Sequence, residues 1–126
     1  MELWEDQANY VERMVKRLSR KEGVEVSVTF GNSRASTAKQ HGDGRYEIRF
    51  GYECLDIIYS HGWSEYKTIS HVWGEHNGSG NFNGLKCLVL HEFAHILQFE
   101  KNGRWHGSQH NDVFITCLQE LIGKYL

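Results

Sequence analysis

The sequence predicts an α+β fold: a helix at each end, a small sheet of three to four strands after the first helix, and a buried helix before the last. Three observations carry this. Apolar residues recur at helical spacing in residues 3–21 and again in 113–125. They alternate with polar residues in VEVSVTF (24–30) and YEIRF (46–50), the period of a half-buried strand. Between them, LKCLVLHEFAHILQF is apolar on nearly every side, as a central core helix is.

The first helix has its apolar stripe at Trp4, Ala8, Val11, Met14, Val15 and Leu18. Glu2, Glu5 and Asp6 lie at its start and Lys16, Arg17, Arg20 and Lys21 at its end, which suits the helix dipole, and Gly23 stands just beyond. Val24, Val26, Val28 and Phe30 then face one side of the first strand. A second strand is expected over 34–39, QHGDGR turns the chain, and Tyr46, Ile48 and Phe50 mark the third.

Residues 51–81 are ambiguous. ECLDIIY fits a strand or a short helix, TISHVW (68–73) reads as β, and EHNGSGNFNG reads as a loop. Asn81 or Asn83 is expected to cap the buried helix, roughly 84–101. KNGRWHG breaks it, and Ser108 is the expected N-cap of a last helix running to about 125. That helix has its stripe at Val113, Phe114, Cys117, Leu118, Leu121, Ile122 and Tyr125.

At 126 residues the chain is expected to form one domain with a single core. A formal charge of −2 gives no reason to expect nucleic acid or an anionic membrane as partner. MELWEDQANY is not a secretory signal, and no apolar run approaches the ~18 residues of a membrane span. Cys54, Cys87 and Cys117 form no metal-binding pair and read as reduced, mostly buried thiols of a cytoplasmic protein.

The chemistry lies in HEFAH (91–95). A chain with 8 histidines in 126 residues yields an HExxH match by chance at roughly 0.05 per sequence, so context decides. On a helix His91 and His95 sit one turn apart and project from one face, placed to share a zinc ion. Glu92 is rotated about 100° from His91, off the ligand face but beside the ion, where it serves as general base. In a core helix two imidazoles and a carboxylate without a metal would be costly.

A catalytic zinc takes three protein ligands and leaves a position open. Glu120, Asp112, His106 and His110 lie downstream. Counted back from Val113, Phe114 and Cys117, position 110 falls on the inward face of the last helix. Periodicity therefore favours His110 over His106 and the two carboxylates.

HEFAH followed by HNDVF and an apolar helix resembles the SprT-like and related small zincin metalloproteases. These pair an HExxH helix with a later H-G-x-x-F motif opening the next helix. The resemblance implies a zincin-like fold, with His91, His95 and His110 as zinc ligands, Glu92 as catalytic base and Phe114 as packing aromatic. Asn111 stands where the family pattern has glycine. A metzincin is a poor fit, because Gln98 and Lys101 occupy its glycine and histidine positions and the only methionines are Met1 and Met14.

The function so implied is zinc-dependent hydrolysis of a peptide bond in a protein or peptide substrate. Zinc would lower the pKa of a water and polarise the scissile carbonyl, while Glu92 takes the water's proton. His106, Tyr46, His71 and His76 are candidates for a further oxyanion or substrate contact, with His106 first by its closeness to His110. By the resemblance, an extended substrate would add to strand 45–50. Loop 74–84, rich in glycine and asparagine, fits either a mobile lid that flanks or covers the cleft or an ordinary exposed loop. The alternative is an inactive or regulatory zinc-binding module on the same scaffold; intact Glu92 argues for the enzyme. The sequence does not specify an oligomeric state.

Overall fold

A computed structural model describes residues 3–65, 69–102 and 110–126. Four α-helices, one 3-10 segment and three strands are found among them: α1 (Leu3–Glu22), β1 (Val26–Gly31), β2 (Thr37–Gln40), β3 (Tyr46–Gly51), α2 (Tyr52–His61), the 3-10 segment Ser70–His76, α3 (Asn81–Asn102) and α4 (Asp112–Tyr125). The α+β class and the small sheet are as expected.

Val11, Val15 and Leu18 of α1 are buried as their spacing requires, and Gly23 ends the helix at φ +71. Trp4 departs from the expected stripe. It is 41% exposed and packs its ring 5.0 Å from Tyr52, while Gln7 takes the buried place. Ile48 and Phe50 of β3 are fully buried, which fits the middle strand of the order β1-β3-β2. β1 runs parallel to β3 and β2 antiparallel to it. β2 is therefore the edge strand on one side, with no second strand partner among the described residues.

This order corrects the expectation that strand 45–50 receives an extended substrate. Both of its edges are taken by β1 and β2, and the strand lying against α3 with an unpaired edge is β2. β2 itself is shorter and later than the expected 34–39.

The ambiguous stretch resolves as helix. α2 buries Cys54, Leu55 and Ile58 at helical spacing behind Gly51, whose missing side chain lets the chain pass Ser33, where an added Cβ would lie 2.2 Å from its carbonyl oxygen. TISHVW is not a strand: residues 70–76 form the 3-10 segment, and Thr68 lies outside the described residues. EHNGSGNFNG is only partly loop, because α3 starts at Asn81 (φ +51), three residues before the expected start.

α3 is the central element. It packs against α1, α2, α4, β2 and β3, and Leu85, Val89, Leu90, Phe93 and Ile96 are fully buried. α4 covers it with Phe114, Cys117, Leu118 and Leu121, all at 0% exposure. Its N-cap is Asn111, whose side chain accepts from the Phe114 N–H at 3.1 Å; Ser108, expected in that role, lies outside the described residues. All three cysteines are buried and free of disulfides. No described helix is long and apolar enough to cross a membrane.

Candidate metal centre

α3 presents His91 and His95 one turn apart, and the chain reaches them again at His110, one residue before the cap of α4. The ligand atoms of the three imidazoles all lie within 4.8 Å of one another, close enough to hold a metal ion. His110 Nε2 is 3.4 Å from His91 Nε2. Phe114 packs against all three rings, stacked on His95 at 4.3 Å and edge-on to His91 and His110 at 5.1 and 4.9 Å. His110 thus faces the cluster as periodicity predicts, although it lies before the helix rather than in its first turn.

Two further side chains fix how the histidines face. Glu65 Oε2 accepts from His91 Nδ1 at 2.5 Å and from Trp73 Nε1 at 3.2 Å. A carboxylate accepts and an indole N–H only donates, so the proton of a neutral His91 sits on Nδ1 and Nε2 carries the lone pair. The case of His95 follows from Asn111. Its Oδ1 accepts the Phe114 backbone N–H, so it also accepts from Gln98 Nε2 at 3.0 Å. Gln98 then turns its carbonyl oxygen to His95 Nδ1 at 2.9 Å, which again puts the proton on Nδ1 and the lone pair on Nε2. Such outer partners orient metal-binding imidazoles and raise their basicity. The donor set fits a metal ion.

Electrostatics agree with that fit. Burial works to lower the pKa of His91, but the hydrogen bond to Glu65 and the charges of Glu92 and Glu65 turn it upward. His95 is pushed down to about 3 by burial and then by the charge of His91; the Gln98 bond only partly offsets this. His110 is lowered by burial and by His91. The cluster therefore resists taking up three protons and is suited to a shared cation. Glu92 is 6% exposed, and burial pushes its carboxyl up to about 7, against the pull of His91.

A cleft of about 490 Å³ opens onto the cluster. Its floor is His91, Glu92, His95 and His110; Ala35–Ala38, at the start of β2, form one wall, and Ile58, Trp63 and Leu88 form an apolar one. The Trp63 ring stands 5.3 Å from His91 and 5.5 Å from Trp73.

Other expected contributors are elsewhere. Tyr46 is not brought to the cluster: it lines a separate cleft with Glu25, Arg45 and Glu100 and stacks on Phe99 at 6.2 Å. His71 and His76 sit on the 3-10 segment and do not line the cleft. Asp112 is exposed beside the cap, and Glu120 lies on the outer side of α4 with Lys101 Nζ at 3.9 Å. His106 lies outside the described residues. None of the residues of loop 74–84 lines the cleft. Two backbone bonds between Trp63 and the pair Gly78 and Ser79, at 2.7 and 2.8 Å, tie that loop to the back of the Trp63 wall.

Sequence reasoning missed Glu65 and Gln98. Gln98 was readable as the one polar residue in ILQF, three positions after a ligand candidate. Glu65, 26 residues from His91, carries no local signal. No family model, curated protein or solved structure matches the chain, so what this centre does has to be argued from its own atoms.

Proposed function

We propose that the protein is a zinc-dependent metallopeptidase of zincin-like, SprT-like type, with Glu92 as general base. The observation that supports this most is the place of Glu92. A buried carboxylate beside three metal-competent imidazoles, facing a cleft large enough for a peptide, is expensive for a structural metal site and useful to a hydrolase.

His91, His95 and His110 would hold the ion through Nε2 of the first two and a ring nitrogen of the third. Three imidazoles suit zinc and leave room for an open position. When bound, zinc supplies Lewis acidity, which lowers the pKa of water and polarises a carbonyl. Glu92 would accept the proton of the attacking water and return it to the leaving amine. The unpaired edge of β2 supplies backbone groups to an extended peptide, and Ile58, Trp63 and Leu88 receive an apolar side chain.

The test is Glu92→Gln, assayed on a degenerate fluorogenic peptide library with metal content measured in parallel. Hydrolysis should be lost while zinc stays bound at one ion per chain. Hydrolysis surviving in the variant would remove Glu92 as the base, and no hydrolysis by the zinc-loaded wild type would leave the binding-module reading in its place.

A further inference from the structure

On the face of α3 away from the histidines, a second concavity of about 370 Å³ opens between α1, α3 and α4. Arg13, Arg17 and Lys21 line it from α1, Lys86 from α3 and Lys124 from α4, and no acidic residue lines it. Its floor is Met14 and Leu18, and Tyr10 and Tyr125 stand at its sides.

A solvated basic helix face explains part of this, since Arg13, Arg17 and Lys21 are spaced four apart. Two features go beyond it. Like charges at that spacing oppose helix formation, and Glu or Asp would relieve them at no cost in packing. Moreover, Lys86 and Lys124 arrive from two other helices, far away in sequence, in a chain whose net charge is −2. Arg17 and Lys86 make no ion pair among the described residues. Of the acids nearby, Asp6 and Glu12 line the adjoining concavity beside Tyr10 and Arg13, and Glu22 holds the rim in shape: it accepts Lys124 Nζ on both oxygens at 3.3 Å and the Tyr125 hydroxyl at 2.6 Å. Lys21 Nζ stands 5.9 Å from the centre of the Tyr125 ring.

We propose that this concavity binds a small polyphosphorylated ligand. The guanidinium forks of Arg13 and Arg17, one turn apart, match the bidentate geometry of successive phosphates, and the three lysines supply point charges around them. The volume falls within the range of small-molecule sites. The apolar floor and the tyrosine rings leave a place for a planar group, so the phosphates are free or carried on a nucleoside. The site is independent of the metal centre and of the function proposed for it.

The experiment is calorimetric titration of the full chain with tripolyphosphate and, separately, with a nucleoside triphosphate, at about 0.15 M salt so that loose surface attraction is screened. Binding of either probe is expected. Equal affinities would identify the phosphate chain as the ligand, and a tighter nucleotide would identify the tyrosine sides as a base site. Arg17→Glu and Lys86→Glu, each leaving the histidine cluster intact as a control for chelation, should weaken binding about 10- to 100-fold for each charge-assisted hydrogen bond removed. Lys86→Gln gives a milder variant should the reversals unfold, and should weaken binding in the same direction. The proposal fails if neither probe binds, if the variants bind as the wild type does, if sulfate at matched ionic strength competes equally, or if a single-stranded oligonucleotide binds more tightly than both probes.

Discussion

Removing the charge of Glu65 should loosen the metal without removing any ligand. Its side chain is 2% exposed and takes the Nδ1–H of His91 and the indole N–H of Trp73 on one oxygen. Glu65→Gln keeps a carbonyl oxygen for both donors and deletes only the negative charge. Glu65→Ala deletes the acceptor as well. Outer partners of this kind are worth about 10- to 100-fold in metal affinity, or roughly 1.4 to 2.8 kcal/mol. We place the glutamine variant near the lower figure and the alanine variant at or beyond the upper one. In the alanine variant two buried donors are also orphaned, each at about 1–3 kcal/mol of fold stability.

Competition against a chromophoric chelator, with melting curves run on the same samples, separates the two effects. The pH profile gives an independent arm. The metal needs His91 neutral, and Glu65 is the main influence raising its pKa, so in the wild type protons compete from above the ordinary imidazole value. In Glu65→Gln the bend in metal affinity against pH should move to lower pH, with a weaker affinity on the plateau above it. An alanine variant that holds metal within about two-fold of wild type, with an unmoved acid limb, would refute the claim that Glu65 orients and charges His91.

Two further outcomes follow from burial. In the metal-free protein, Glu92 is raised from 4.5 to about 7, so its charge opposes folding: its own contribution to stability falls as pH rises from about 4.5 to about 7, while His95, pushed down to about 3, contributes in the opposite sense, so the difference between wild type and Glu92→Gln is what isolates it. Glu92→Gln should therefore be more stable than wild type above pH 7, by on the order of 2–3 kcal/mol, and equal to it near pH 4; denaturant titrations of the two metal-free proteins at both pH values would measure it. Gly84→Ala should destabilise by about 1–3 kcal/mol despite its better helix propensity, since a Cβ there would lie 2.4 Å from the Ser79 carbonyl oxygen and 3.1 Å from Ile58; thermal melts would check this.

What was legible in the sequence was whatever a single period determines. α1, β1, β3, α3 and α4 each repeat one spacing for long enough to be seen, and His110 could be placed because it continued the stripe of Phe114 and Cys117. TISHVW failed for a definite reason. Ile69 and Trp73 are both buried, and positions four apart share a face under a period of two as well as under a helical one. Strand order was out of reach, because alternation shows which face of YEIRF is buried and not which strands flank it. That is why the strand chosen by the resemblance, 45–50, proves to be the middle one with both edges taken. Tyr46 was misread for the same reason, since its buried face meets Phe99 and not the cluster.

Asn111 occupies the place where the family resemblance would put glycine, and its side-chain oxygen takes both the Phe114 N–H in the first turn of α4 and the amide that steadies His95. The start of a helix and the aim of a ligand on another helix are thereby joined in one mechanical degree of freedom. Fraying of α4 would release His110 and untether His95 at the same moment. A glycine there would let those two events occur separately. Metal loading should accordingly be abrupt, with chains either holding an ion on three imidazoles or holding none, and partial occupancy by two ligands scarcely populated.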